Sequence, residues 1–252
     1  MMDDHGVPSE EPMSQEERRA TRERQLQNSA RFTAIAGIIY AILFVASLWL
    51  LTDTPRRGAT DQEIIAFYNP DKLRTVNFVA LYLVPFSGIA FLWFIVCLRM
   101  WISTRVERRV NVLFSNIQLV SGIVFLTLLL CAAAALSMTS IAMDVGGEEL
   151  NPAMAREFPP FGGALFYVFA TRMAAMFVFA TSNIGRASKI IPGWFVVVSI
   201  FVGITLLLTA SFNRGLILVF PVWVFTLCVL ILIHARQAAL EGAAQSDRVV
   251  PN

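Results

Sequence analysis

The sequence predicts an all-α integral membrane bundle of six transmembrane helices with both termini in the cytoplasm. Hydrophobic residues make up 56% of the 252-residue chain and charged residues only 15%, whereas soluble domains carry about 25% charged residues. The apolar runs between the charges approach the ~20 residues that cross a ~30 Å hydrocarbon core. Lys and Arg beside the spans are more numerous on the side that carries both tails, which predicts that this side is cytoplasmic.

Polar cytoplasmic tails are predicted at both ends of the bundle. Residues 1–30 are highly charged, and we expect them to be partly disordered. Ser14 and Glu17 have the spacing of a capping box, so a short solvated helix is expected to begin there. Residues 237–252 form the second polar tail.

Six apolar runs are the predicted membrane spans. They cover residues 31–51, 73–101, 110–138, 161–184, 191–212 and 216–233. In the first span, Gly37 and Ala41 stand four residues apart, which lets another helix approach closely. The second span is longer than a bilayer requires, and Pro85 predicts a kink in it, with a gating hinge as the alternative.

The connection over residues 53–74 contains a predicted short helix. Thr60 can cap it, with Asp61 and Glu63 in its first turn, where acidic side chains are favourable. Its apolar residues lie on one side, so we expect it to lie at the membrane interface. Pro70 is expected to end this helix or to open the next one.

The connection over residues 144–160 is acidic and, by the charge count, external. It carries Asp144 and Glu148, and its glycines and prolines predict an irregular course. A solvated connection is one interpretation. A weak contact with a cation or a partner protein is the other.

Arg172 is the charge that lies deep inside a predicted span, near the midplane. An uncompensated Arg there costs about 2.5–3.5 kcal/mol on insertion scales, so it needs a partner. The sequence leaves three interpretations open. In the first, backbone carbonyls, Gln118, Ser121 and the ring of Phe169 satisfy the guanidinium inside the bundle. In the second, the side chain extends outward to an acidic residue such as Asp144. In the third, it forms the floor of a cavity that binds an anion or a lipid headgroup.

The first half of the third span is unusually polar. Asn111, Ser115, Gln118 and Gly122 share one helix face by their spacing. Interhelical hydrogen bonding is one interpretation of these side chains, and the lining of a pocket entered from the cytoplasm is the other. The candidate ligand-binding or helix-packing cluster therefore consists of Arg172, Gln118, Ser115, Asn111 and Ser121.

Several functional classes are disfavoured by what the spans lack. No His, Asp or Glu lies within them, which argues against haem ligation, hydrolytic triads and transport coupled through a buried carboxylate. Cys97, Cys131 and Cys228 are far apart in sequence and are expected to be reduced core residues. No metal or other cofactor is expected, and a net charge of +2 gives no basis for nucleic-acid binding.

Three stretches resemble a group of bacterial six-helix integral membrane proteins. They are EIIAFYNPDKLR at 63–74, FLWFIVCLR at 91–99 and ASKIIPGWFVVVS at 187–199. The resemblance covers most of residues 31–236 and implies a six-span protein of the bacterial cell membrane. That group has no established activity, so the resemblance assigns no functional residue.

Two functional classes follow from these observations. The first is a non-enzymatic accessory, scaffold or regulatory protein of the cell membrane, with a homo-oligomer or a membrane-protein partner. The second is a small transporter, or a protein that binds an anionic lipid or small anion through Arg172. A continuous polar cavity reaching Arg172 would distinguish the second class from the first.

Overall fold

The computed structural model describes residues 15–51, 58–103, 112–188, 191–208 and 214–246. The helices within these ranges are α1 (Gln15–Leu50), α2 (Asp61–Phe67), α3 (Pro70–Phe78), α4 (Val84–Ser103), α5 (Val112–Asp144), α6 (Pro152–Ala164), α7 (Thr171–Ala187), α8 (Gly193–Leu208) and α9 (Arg214–Ser246). Two π turns, Val79–Leu83 and Leu165–Ala170, join α3 to α4 and α6 to α7 without a break.

Five continuous helical stretches are long and apolar enough to cross a membrane. They are Ser29–Leu50, Pro70–Ile102, Val112–Asp144, Pro152–Ala187 and Gly215–Gln237. The first and last have 22 and 23 residues, whereas the other three have 33 to 36. At about 1.5 Å per residue, the three long stretches exceed a ~30 Å hydrocarbon core by roughly 20 Å.

The fifth predicted span is shorter in the structure than the sequence indicates. The described helix α8 is apolar but has 16 residues, which corresponds to about 24 Å of rise. The predicted span covered 191–212, and residues 209–212 lie outside the described ranges. The structure therefore establishes five candidate spans and one shorter apolar helix.

Helix α1 extends well before the first predicted span. It begins at Gln15 and continues to Leu50, so residues 15–30, predicted as part of a partly disordered tail, are helical. The proposed cap Ser14 lies outside the described residues. Residues 237–246, predicted as part of the polar C-terminal tail, are also helical, because α9 continues to Ser246.

The second predicted span contains a π turn next to its proline. The backbone N–H of Val84 donates to the carbonyl of Val79, five residues back. Pro85 follows directly and has no N–H to donate, so the regular hydrogen-bond ladder is interrupted at this point. The π turn accommodates that interruption within one continuous helical stretch.

The acidic connection is more ordered than predicted. Residues 152–160 form most of α6, and Pro159 and Pro160 lie inside that helix. The side chain of Asn151 accepts hydrogen bonds from the backbone N–H groups of Ala153 and Met154. Pro152 occupies the first turn, where its missing N–H has no cost. The prediction of an irregular course is confirmed for residues 145–151 and was wrong for residues 152–160.

A cluster of aromatic rings fills the centre of the bundle. It comprises Tyr40 of α1, Phe91 of α4, Phe125 of α5, Phe177 of α7, and Phe220 and Trp223 of α9. The closest ring centroids are 4.5 Å apart for Tyr40 and Phe91 and 4.9 Å for Phe125 and Phe220. Phe195 of α8 stacks on Trp223 at 5.9 Å. The aromatic cluster therefore joins every long helix of the bundle and α8.

A second, smaller apolar cluster lies at the end of the bundle that carries α2, α3, α6 and the last two turns of α5, which together we call the cap. Ile64, Tyr68 and Ala155 are buried in it. Burial raises the pKa of the Tyr68 phenol. Thr60 and Glu63 form a capping box at the start of α2, and Pro70 opens α3, as the sequence predicted.

Candidate functional site

Arg172 lies in the first turn of α7, directly after the π turn Leu165–Ala170. Its Nη1 donates a hydrogen bond to the carbonyl oxygen of Val168. Helical side chains lean toward the helix N-terminus, so this contact directs the guanidinium toward α6 and the cap. Within the described ranges, this carbonyl is the partner of Arg172, and no carboxylate pairs with it.

The side chain of Arg172 lies at the edge of the exposed face of its helix. Phe169 and Met176, three residues before and four after, share its face and are 53% and 37% exposed. Ala174 and Phe177, on the opposite side, are fully buried. Arg172 itself is half-buried. Ala175, three residues after Arg172 and also beside it, is fully buried, so Arg172 lies at the border between the exposed and the buried side of its helix.

The ring contacts give the depth of Arg172. Phe177 belongs to the aromatic cluster, and Val168 lies nine residues before it, about 13 Å away along the helix. The ring of Phe166, two residues before Val168, lies 6.0 Å from the ring of Phe44 on α1, and Phe44 lies six residues, about 9 Å, before the end of that helix at Leu50. The guanidinium, held at the Val168 carbonyl, therefore lies between the level of the aromatic cluster and the level at which α1 ends.

Gln118, which the sequence paired with Arg172, has a different partner. Its Nε2 donates to Oγ1 of Thr181, 2.8 Å away, and both side chains are buried. Thr181 lies nine residues beyond Arg172 on α7, about 13 Å further along the helix. This hydrogen bond joins α5 to α7 on the other side of the aromatic cluster from the guanidinium.

The remaining members of the predicted cluster do not converge on Arg172 either. Ser121 donates to the carbonyl oxygen of Ile117 within its own helix, 2.6 Å away. Ser115 is half-buried on α5, and Asn111 lies outside the described residues. The third-span polar side chains that are described therefore have the arrangement of interhelical and intrahelical hydrogen bonding, separate from Arg172.

Asp144, the other proposed partner of Arg172, binds Asn77. Nδ2 of Asn77 donates to Oδ2 of Asp144 at 2.7 Å and to the carbonyl oxygen of Ser140 at 3.3 Å. Asn77 is buried, and its Oδ1 has no hydrogen-bond partner within the described protein. A single buried amide thus joins α3 to the end of α5 and ties the cap to the bundle.

Two further polar contacts were not predicted from the sequence. Arg156 of α6 pairs with Asp61 of α2 at 2.6 Å and also donates to the carbonyl oxygen of Ala59, which closes the cap. Nε1 of Trp223 donates to Oγ of Ser199 at 2.9 Å and joins α9 to α8. Their signal in the sequence was weak, because single Ser and Trp residues in apolar runs are common and their partners are distant in sequence.

The guanidinium of Arg172 is separate from the buried hydrogen bonds and rings of the bundle interior. Buried hydrogen bonds join neighbouring helices, and aromatic rings occupy the centre between them. Among the described residues, no group of three or more His, Cys, Asp and Glu is placed to hold a metal ion. Comparisons with protein-family models, with curated proteins and with solved structures found no match.

Proposed function

We propose that this chain is a non-enzymatic accessory, scaffold or regulatory component of a cell-membrane assembly. The observation that carries the proposal is the aromatic cluster, whose six rings contact one another across the bundle centre. Phe91, Phe125 and Phe177 are almost fully buried within it. A bundle filled in this way supports packing and association and gives a solute no passage through its middle.

The proposed topology has six crossings with both termini in the cytoplasm of a bacterial cell. The crossing that we add to the five long stretches is α8, the fifth in chain order, whose Phe195 and Ser199 pack on Trp223 of α9 as a membrane hairpin would. The excess of Lys and Arg on the side of the tails supports the orientation. In this topology the cap lies outside the cytoplasm, where its exposed carboxylates meet water.

The ordered cap is the second observation that supports association with a partner. Three helical stretches are roughly 20 Å longer than a bilayer requires, and the Asn77–Asp144 and Arg156–Asp61 contacts join the helices of the cap. An ordered surface of this kind is suited to docking, because its parts lose little conformational freedom when a partner binds.

The proposal predicts that the chain exists in an assembly in its own membrane. We expect that extraction of the natively expressed protein in a membrane-solubilising polymer, followed by mass photometry, gives particles heavier than one 28.0 kDa chain plus its lipid. The same chain reconstituted alone in lipid discs sets the reference mass. Particles of one chain in both preparations would contradict the proposal.

Lipid or anion binding at Arg172 is the second candidate function. The position of Arg172 beside the exposed Phe169 and Met176 favours a ligand that approaches from the membrane. It does not favour transport, because the described polar side chains on the cytoplasmic half, such as Gln118, bond to Thr181 and do not lead to the guanidinium.

A further inference from the structure

We propose that a monovalent metal cation, Na⁺ or K⁺, binds where α3 meets the end of α5, between Asn77, Ser140 and Asp144. We call these three residues the α3–α5 junction. Such a site goes beyond the proposed assembly role and does not require it. A single chain that binds the ion and forms no assembly would therefore contradict only the assembly role.

The α3–α5 junction brings several oxygen atoms into one small region. Nδ2 of Asn77 donates to Oδ2 of Asp144 at 2.7 Å and to the carbonyl oxygen of Ser140 at 3.3 Å. Ser140 and Asp144 lie four residues apart, so they share one face of α5. Oδ1 of Asn77 is bonded to the same carbon as Nδ2 and belongs to the same region.

Two oxygens of the junction are buried and have no hydrogen-bond partner among the described residues. They are Oδ1 of Asn77 and Oγ of Ser140, whose residues are 4% and 0% exposed. Ser121 and Ser137 on the same helix donate to the carbonyl four residues back, at 2.6 and 2.8 Å. Ser140 does not, so its hydroxyl is available to a ligand. A buried polar atom without a partner is costly, and a ligand that binds these oxygens removes that cost.

The charge of Asp144 favours a cation over a water molecule. Among the described residues, no Lys or Arg pairs with Asp144, because Arg156 of the cap pairs with Asp61 instead. Water satisfies hydrogen bonds but leaves this charge unbalanced, whereas a cation binds the oxygens and balances it. Asp144 is exposed, so an ion can enter from the water at this end of the bundle.

The amide of Asn77 marks the position of the ion. Its Nδ2 now lies between Oδ2 of Asp144 and the carbonyl oxygen of Ser140, two atoms that bind a cation equally well. The terminal torsion of an Asn side chain is broad and roughly two-fold. A half-turn about it presents Oδ1 to the same point, so three oxygens then surround the ion and water completes its shell.

The chemistry of the junction selects a monovalent ion. Its atoms are all oxygens, which suit hard cations and not the metals that prefer His or Cys. Ca²⁺ takes about six to eight oxygens and Mg²⁺ dehydrates reluctantly. A single carboxylate with a few neutral oxygens matches one positive charge.

Thermal unfolding of the purified full chain tests the proposal. The melting temperature is measured in sodium, potassium or choline chloride at equal ionic strength. An ion that binds only the folded chain stabilises it by mass action. The parent is therefore expected to melt at a higher temperature in sodium or potassium chloride than in choline chloride, with a shift that saturates as the ion concentration rises.

Asp144→Asn removes the charge and keeps an oxygen that accepts from Asn77. It is expected to fold and to lose the ion-dependent shift. The matched control is Glu149→Gln, which removes an exposed carboxylate from the same connection and is expected to keep the shift. Ser140→Ala removes one of the buried oxygens and is expected to raise the half-saturating ion concentration about tenfold, the loss typical of a polar contact to a charged group. This variant keeps the test decisive if Asp144→Asn folds poorly.

Three results would overturn the proposal. Equal melting temperatures of the parent in all three salts would mean that water alone fills the junction. An equal loss of the shift in Asp144→Asn and Glu149→Gln would assign the effect to the general charge of the connection. A larger shift in calcium chloride than in sodium or potassium chloride, absent from Asp144→Asn, would show that the site prefers a divalent ion.

Discussion

Replacement of Phe91 by alanine is expected to lower the free energy of unfolding by about 3–5 kcal/mol, the range for loss of a buried aromatic side chain. Phe91 is fully buried and contacts the rings of Tyr40, Phe94, Phe125, Phe177 and Phe220. In a membrane the loss comes from packing, because lipid is as apolar as the bundle interior and offers no hydrophobic driving force between helices.

Reversible unfolding in mixed micelles measures this loss. The matched control is Trp93→Ala on the same helix, because Trp93 is 64% exposed and faces away from the aromatic cluster. The control is expected to change stability by about 0.5 kcal/mol or less. Equal losses in the two variants would mean that the rings do not form a packed centre.

Replacement of Gly162 by valine is expected to separate α6 from α5. A Cβ atom at Gly162 would lie 2.9 Å from the carbonyl oxygen of Ala132 and 3.1 Å from the backbone nitrogen of Leu136. Backbone atoms cannot turn aside as a side chain can, so the two helices must move apart. We expect a loss of about 1–3 kcal/mol, the range for overpacking.

The same unfolding measurement, with Gly193→Val as its control, tests the close approach of these helices. A Cβ atom at Gly193 meets no atom within 4 Å. If Gly162→Val is as stable as Gly193→Val, then α5 and α6 do not approach as closely as the structure indicates.

The local features of the fold were readable from the sequence. Thr60 and Glu63 predicted the start of α2, because a capping box depends only on two residues three positions apart. Gly37 also does what its spacing indicated, since a Cβ there would lie 2.3 Å from Sγ of Cys228. Both signals depend on one segment of chain and its immediate steric requirements.

Helix α6 and the π turns could not be predicted in this way. Pro159 and Pro160 are strong breaker signals, but here the helix is already begun by Asn151 and Pro152. A π turn such as Leu165–Ala170 has no composition of its own. Its position depends on how neighbouring helices pack.

The sequence also did not indicate which face of α7 carries the side chain of Arg172. In a soluble helix, polar residues mark the outer face, but in a membrane both the interior and the lipid-facing side are apolar. Phe169 and Phe177 therefore look equivalent in the sequence, although one is exposed and the other is fully buried. The sequence also did not indicate the partner of Gln118, because Thr181 lies on a different helix, α7, and no local pattern marks it.

Solvent access to the bundle interior tests most directly the claim that its centre is closed. In a chain whose three cysteines are replaced by alanine, Ser87→Cys and Ser121→Cys introduce near-isosteric thiols at two buried positions on different helices. Val145→Cys, at an exposed position after α5, is the control. We predict that a membrane-impermeant thiol reagent applied to both sides modifies the Val145→Cys protein completely and leaves the other two unmodified. Rapid modification of either buried position would reveal a water-filled path and contradict the account.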